Sequence, residues 1–159
     1  MNMTQTVLQA PHPLIAPTST ALCRLVGAGV AVGAAAVLGL AAWLDPSPEG
    51  LGTHSQLNLP PCGWILTMDL PCPTCGMTTA FAHAADGNLV ASFVTQPMGA
   101  VLAVATAIAL LLGTYTVATG SRVATLFGRL WGRRAAWLLG TAFAAAWVYK
   151  IVAYKEVLG

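Results

Sequence analysis

Apolar residues along this chain occur in long uninterrupted blocks. Residues 25–44 carry no charge, and about 20 apolar residues are enough for a helix to cross ~30 Å of hydrocarbon. Residues 87–121 are also uncharged but too long for one crossing, and Pro97 divides them at a point where a helix would begin well. Residues 135–154 are apolar except for Lys150. The pattern predicts three membrane-spanning helices, at about residues 22–44, 97–119 and 135–154.

Residues 76–95 also have the length of a span, but residues 86–88, Asp-Gly-Asn, interrupt them. A carboxylate at membrane depth costs about 2.5 to 3.5 kcal/mol on insertion scales. Apolar residues recur at helical spacing on both sides of this break, so we expect two short amphipathic helices. The predicted fold class is all-α and integral to the membrane, with three transmembrane helices and an outward loop, 45–96, containing short interfacial or re-entrant helices.

Composition supports this fold class. The chain is 57% hydrophobic and 8% charged with a mean hydropathy of +0.73, whereas soluble domains carry about 25% charged residues. We interpret residues 22–159 as one membrane domain and the polar, proline-containing residues 1–21 as a disordered tail. A net charge of +2 indicates no nucleic-acid partner. The partners expected are the lipid bilayer and, through the loop, another membrane protein.

The basic residues predict the orientation. The segment 120–134 between the second and third spans contains four arginines, Arg24 precedes the first span, and residues 45–121 contain no Lys or Arg. Because cytoplasmic loops carry an excess of Lys and Arg, we expect the N-terminus and the 120–134 loop in the cytoplasm. The loop 45–96 and the C-terminus would then face outward from a bacterial inner membrane.

Two features inside the spans suggest specific contacts. Gly29 and Gly33 form a G-x-x-x-G motif, and Gly140 belongs to a similar series of small residues in the third span. This spacing lets helices approach closely, although Ala and Gly are abundant throughout the chain. Lys150 is the single charge within a span, and we expect its side chain to extend to the lipid headgroups.

Three cysteines of the loop offer the clearest chemistry. Cys72 and Cys75 belong to a C-P-T-C-G turn, and Cys62 lies ten residues upstream. The proline fixes the turn, and Gly76 can take the positive φ that lets backbone N–H groups point at the sulfurs. This arrangement suits a tetrahedral metal such as zinc, a structural disulfide from Cys62 to either other cysteine, or a redox dithiol beside a helix N-terminus.

A metal site would use the three thiolates and a fourth ligand. The candidates for that ligand are His54, His83 and Asp69. A redox site would use Cys72 as the attacking thiolate and Cys75 as the resolving thiol. No Lys or Arg lies near the turn in sequence to stabilise a thiolate, which favours a structural role. We therefore expect a non-enzymatic accessory or scaffold protein, with a membrane thiol-disulfide oxidoreductase as the alternative.

The motif resembles a bacterial membrane family known as domain of unknown function 2752. The resemblance implies a membrane location and marks the three cysteines as one set, without choosing between metal and disulfide. The family often has arginine directly after the motif threonine, where this chain has Thr79. The matching positions are Cys62, Pro71, Cys72, Pro73, Cys75, Gly76, Thr78, Ala80, Gly87 and Pro97.

Overall fold

The computed structural model describes residues 19–121, 123 and 133–158. Within these residues it is helical and has no strand, which confirms the all-α prediction. The predicted N-terminal tail lies outside the described residues up to residue 18, and most of the 120–134 loop lies outside them too. The helices are α1 (Thr20–Trp43), a 3₁₀ helix (Thr53–Leu57), α2 (Gly63–Met68), α3 (Met77–Ala85), α4 (Leu89–Thr95), α5 (Pro97–Thr119) and α6 (Arg133–Leu158).

Three of these helices are long and apolar enough to cross a membrane. The segments are Thr20–Trp43, Pro97–Thr119 and Ala135–Glu156, with mean hydropathies of 2.2, 2.1 and 1.4. Pro97 occupies the first turn of α5, where its missing N–H costs no intrahelical hydrogen bond. The three helices indicate a multi-pass membrane protein, as the apolar blocks of the sequence predicted.

Helices α1 and α5 are in near-backbone contact through glycines. A Cβ added to Gly113 would lie 2.9 Å from both the Gly27 carbonyl oxygen and the Ala31 nitrogen. A Cβ on Gly27 would lie 2.9 Å from Cβ of Thr116. Only a hydrogen atom fits at each of these points, so the two glycines set the distance between the helices.

Gly29 and Gly33 do not make the close helix contact that their spacing allows within the described residues. A Cβ on either residue would meet nothing within 4 Å, and the same holds for Gly140. Each helical residue turns by about 100°, so Gly29 lies roughly 200° around the helix from Gly27 and faces away from α5. The spacing identified small residues correctly but not the face that packs.

Helices α3 and α4 form a hairpin beside the start of α5 and the end of α1. Gly87, with φ of 79°, makes the turn between them, and the Asn88 side chain caps α4 by accepting a hydrogen bond from the Ala91 N–H at 3.0 Å. Ser92 is completely buried and donates its hydroxyl to the Ala80 carbonyl at 2.7 Å. The break predicted at residues 86–88 is therefore the turn of a short helical hairpin.

Helix α4 buries a polar residue and exposes apolar ones. Its Ser92 is buried, while the exposed fractions of its large apolar side chains run from 52% to 76%. Such an arrangement suits contact with lipid, because a contiguous apolar surface is unfavourable in water. The exposed residues are Leu89, Val90, Phe93 and Val94.

Helix α6 is held to the loop mainly by polar side chains. Only 11% of the apolar membrane-spanning stretch of α6 is buried within the protein, compared with 22% for α1 and for α5. Four of its side chains donate hydrogen bonds to loop acceptors. The pairs are Trp147 Nε1 to Pro71 O at 3.0 Å, Tyr149 OH to Val94 O at 2.9 Å, Lys150 Nζ to Thr95 O at 2.9 Å and Gly50 O at 3.2 Å, and Tyr154 OH to Asp69 Oδ1 at 3.3 Å.

The glycine contact between α1 and α5 gives a test of the fold. We expect Gly113→Ala to lower the free energy of unfolding by about 1 to 3 kcal/mol, because the new methyl group meets backbone atoms that must shift. Gly29→Ala is the matched control and should leave stability nearly unchanged, since its methyl group meets open space. Denaturation in detergent micelles measures both. Equal stability of the two variants would contradict the helix contact.

Candidate functional site

The residues 72–76 form a tight turn that leads into α3. The Cys75 N–H donates to the Cys72 carbonyl at 3.0 Å, and Gly76 takes a φ of 82° at the N-terminus of α3. A Cβ on Gly76 would lie 2.8 Å from the Gly50 carbonyl oxygen and 3.0 Å from Lys150 Nζ. Glycine is required here for two reasons, the left-handed backbone conformation and the close approach of its neighbours.

The structure brings the three loop cysteines together. The sulfurs of Cys62, Cys72 and Cys75 all lie within 4.8 Å of one another, and those of Cys72 and Cys75 are 3.2 Å apart. Cys75 is buried, whereas Cys62 and Cys72 are half-buried. Cys62 precedes α2 as its N-cap, so the site joins the start of α2 to the start of α3. Cys23 is buried in α1 and does not belong to this cluster.

The three predicted fourth ligands do not join the sulfurs. Within the described part of the chain, the group of possible metal ligands at this site consists of the cysteines alone. A ring nitrogen of His54 lies 3.2 Å from the Pro60 carbonyl oxygen, and Asp69 accepts a hydrogen bond from Tyr154. His83 is half-buried on α3. A metal at this site would therefore have three protein ligands from the described residues.

The surroundings of Cys62 favour its thiolate. Partial burial acts to raise the pKa of Cys62, but the polar groups around its sulfur outweigh this effect and bring the pKa down to about 7. These groups are the backbone N–H groups of Ile65, Cys72 and Trp64 and the Cys75 thiol. Backbone N–H groups stabilise a negative sulfur because they place partial positive charge against it.

Cys75 has the opposite character. Burial raises the pKa of the Cys75 thiol above its usual range, and the neighbouring thiols of Cys72 and Cys62 raise it further. Without a metal, Cys75 thus keeps its proton and donates a hydrogen bond within the cluster. The sequence prediction assigned attack to Cys72 and did not consider Cys62, whose lowered pKa depends on contacts that only the fold creates.

Lys150 is a site residue that sequence reasoning misplaced. It is only 6% exposed, and its ammonium group donates to two carbonyl groups and packs against Gly76, next to Cys75. The expectation that it extends to the headgroups is wrong, and although no base lies near the turn in sequence, Lys150 lies beside the turn in the fold. The signal was present, since Lys150 is the single charge within an apolar block.

Other motif positions support the turn through their backbones. The Pro71 carbonyl accepts from Trp147, and the Pro73 carbonyl accepts from Gln96 Nε2 at 3.1 Å. Where the family resemblance places arginine, Thr79 is buried and shares a hydrogen bond of 2.8 Å with Thr53. This pair of hydroxyl groups links α3 to the 3₁₀ helix. A neutral hydrogen bond therefore lies where the family often has an arginine.

The sulfur separations can be compared with those of a zinc centre and of a disulfide. Zinc–sulfur bonds of about 2.3 Å in a tetrahedron place sulfurs about 3.8 Å apart. One observed pair is 3.2 Å apart, and no pair is farther apart than 4.8 Å. A disulfide bond measures about 2.05 Å.

Fold and site together define a multi-pass membrane protein with a three-thiol centre in the loop between its first two spanning helices. Residues 62–110 match the family model "Protein of unknown function (DUF2752)", which confirms the resemblance predicted from the motif. The similarity covers less than half of the chain, from the first site cysteine into α5. Neither a curated protein nor a solved structure matches the chain.

The two shifted thiols predict an order of alkylation. In reduced protein stripped of metal, Cys62 should react with iodoacetamide near pH 7, because thiolate forms as the pH rises through its pKa of about 7. Cys75 should react last, because burial and its raised pKa keep it protonated. Peptide mass spectrometry after timed quenching measures the order. Preferential labelling of Cys75 near pH 7 would contradict the opposite pKa shifts of the two thiols.

Proposed function

We propose that this chain is a non-enzymatic accessory or scaffold protein of the cell membrane, whose outward loop is held in shape by zinc. The ligands would be Cys62, Cys72 and Cys75, with a fourth position filled by water or by a ligand from outside the described residues. The observation that carries the proposal is the convergence of three sulfurs within 4.8 Å of one another. Soft thiolate ligands favour zinc or copper(I) over hard cations.

The arrangement of donors supports a metal over a disulfide. A disulfide would join two sulfurs and leave the third unused at the same point. A metal uses all three, and the N–H groups that stabilise the Cys62 thiolate are the outer contacts that orient and tune metal ligands. The centre would fix α2, the 72–76 turn and α3 relative to one another.

A scaffold role also has a structural basis in the surface next to the site. An apolar groove of about 200 Å³ lies between the end of α1 and α3. Met77 and Phe81 form its α3 wall, directly after the thiol turn. A centre that fixes the start of α3 would therefore fix the shape of this groove. The groove residues are Val37, Leu40, Ala41, Leu44, Met77, Thr78 and Phe81.

The distribution of basic residues supports an outward position for the site. The four arginines of the 120–134 loop and the absence of Lys and Arg from residues 45–121 favour a cytoplasmic 120–134 loop. Since α1 and α5 each cross the membrane once in this proposal, the loop that joins them lies on the opposite side. The bacterial inner membrane is the membrane that the family resemblance implies.

The second candidate is a membrane thiol-disulfide oxidoreductase, and the 3.2 Å separation of the Cys72 and Cys75 sulfurs favours it. The Cys72 thiolate would attack a substrate disulfide, form a mixed disulfide and release one substrate thiolate. Cys75 would then lose its proton, displace the second substrate thiolate and close a Cys72–Cys75 disulfide. Both released thiolates take up protons, so the substrate is reduced and the pair is oxidised. The buried, protonated Cys75 makes the second step slow, which ranks this candidate below the scaffold.

Metal content separates the two candidates. We expect purified protein to carry about one zinc per chain, with all four thiols countable after denaturation in chelator. Cys62→Ser and Cys72→Ser should each lose the metal, and the double variant should add little, because residues acting as one unit give non-additive losses. Cys23→Ser is the matched control and should keep the metal.

Native mass spectrometry with thiol counting measures these outcomes. If the protein contains no metal and two of its thiols cannot be counted, the site is a structural disulfide and not a zinc site. Additive losses from the two serine variants would contradict a shared site. Turnover of a model disulfide by the reduced protein, abolished by Cys72→Ser but not by Cys23→Ser, would favour the oxidoreductase.

The orientation has its own test. A membrane-impermeant maleimide added to intact cells, after reduction and metal removal, should label Cys62 and Cys72 in the loop. A variant that retains Cys23 as its only cysteine is the matched control and should stay unlabelled, since Cys23 lies at the opposite end of α1 from the loop. A reporter that is active only in the cytoplasm should be active when inserted within residues 122–132, and a reporter that is active only outside the cytoplasm should be inactive there. The reverse pattern would overturn the orientation.

A further inference from the structure

Lys150 places a positive charge in a buried position next to the thiol site. Its side chain is 6% exposed, and its two hydrogen-bond acceptors, the carbonyl groups of Gly50 and Thr95, carry no net charge. The ammonium also packs against Gly76, the residue that directly follows Cys75 in the thiol turn. A buried ammonium without an opposite charge is strongly unfavourable.

The thiol site, when it holds a divalent metal ion, would carry a partly buried negative charge. Three thiolates and one divalent cation leave one net negative charge, and Cys75 places part of that charge in a buried position. Lys150 Nζ lies 3.0 Å from the position that a Cβ of Gly76 would occupy, and Gly76 directly follows Cys75 in the chain. Two of its three N–H groups are used by the carbonyls, so one remains for the sulfurs.

We propose that Lys150 is the counter-charge of the three-thiolate metal centre and makes α6 a part of that centre. This inference rests on the proposed metal site and identifies the residue that balances it. The ammonium stabilises the loaded site by cancelling its net charge in surroundings of low dielectric constant. Lys150 is a positioning and charge-balancing residue, since it reaches the metal through the sulfurs.

The placement of Lys150 on α6 has a consequence for the fold. Helix α6 is the least buried of the three spanning helices. Lys150 joins it to the loop through hydrogen bonds to the Gly50 and Thr95 carbonyls. Metal binding would draw the ammonium toward the sulfurs and so strengthen the attachment of α6. The state of the thiol site and the docking of a spanning helix are thereby coupled.

Cobalt(II) titration of the full chain in detergent tests this charge. Cobalt bound by thiolates gives a sulfur-to-metal charge-transfer absorption, which reports both binding and ligand set. We expect Lys150→Gln to weaken cobalt binding about 10- to 100-fold, the range typical of residues that contact metal ligands. Lys150→Arg keeps the charge and should restore most of the affinity.

Tyr149→Phe is the matched control. Tyr149 precedes Lys150 on α6 and donates to Val94 O, so its removal loosens α6 without changing charge. Its cobalt affinity and spectrum should match those of the wild type. Equal losses in Tyr149→Phe and Lys150→Gln, or an unchanged affinity in Lys150→Gln, would overturn the inference. Absence of cobalt binding by the wild type would instead overturn the proposed metal site itself.

A wild-type measurement covers the case in which Lys150→Gln does not fold. The chain contains two lysines, Lys150 and the exposed Lys155, so amine footprinting has an internal reference. Removing cobalt with a chelator should increase the labelling of Lys150 relative to Lys155, because the sulfurs no longer hold the ammonium. An unchanged ratio would contradict the coupling.

Discussion

The loop between α1 and α5 depends on hydrogen-bond donors supplied by α6. Irregular backbone beside the hydrocarbon core leaves carbonyl groups that water cannot easily reach, and each unsatisfied group is costly. Trp147, Tyr149 and Lys150 supply these donors at the Pro71, Val94, Thr95 and Gly50 carbonyls. Aromatic and basic side chains, which are common at membrane interfaces, here complete the hydrogen bonding of a segment about 55 to 100 residues away.

The same segment is tied at a second point by its thiols. Short helices such as α2 and α3 are unstable alone, because nucleating a helix costs more than a few hydrogen bonds return. At one end of each helix the site supplies a fixed point, since Cys62 directly precedes α2 and Cys75 directly precedes Gly76 at the start of α3. Trp64 of α2 also packs edge-on against Trp147, with ring centroids 6.0 Å apart. Sulfur contacts and α6 contacts therefore hold the same short elements.

Properties local in sequence were predictable, and properties that depend on distant contacts were not. Block length and Pro97 identified the spanning helices, and residues 86–88 identified the break between α3 and α4. The face of α1 that meets α5 could not be predicted, because Gly27 and Gly29 are equally small and only the partner helix distinguishes them. The three site cysteines were found because they lie within 14 residues, whereas Lys150 lies 75 residues beyond Cys75. Hydropathy treats such a lysine as an exception within a span rather than as a contact.

The similarity to the uncharacterised family ends at residue 110, before α6 begins. All three site cysteines lie inside the matched segment. Trp147 and Lys150, which donate hydrogen bonds to loop carbonyl groups, lie outside it. The matched segment carries the thiols and their turn, but it does not carry Lys150, the buried cation that packs against Gly76 of that turn. A physical account of the site must therefore include the third spanning helix, because α6 supplies the hydrogen-bond donors and the cation next to the turn, and the motif does not.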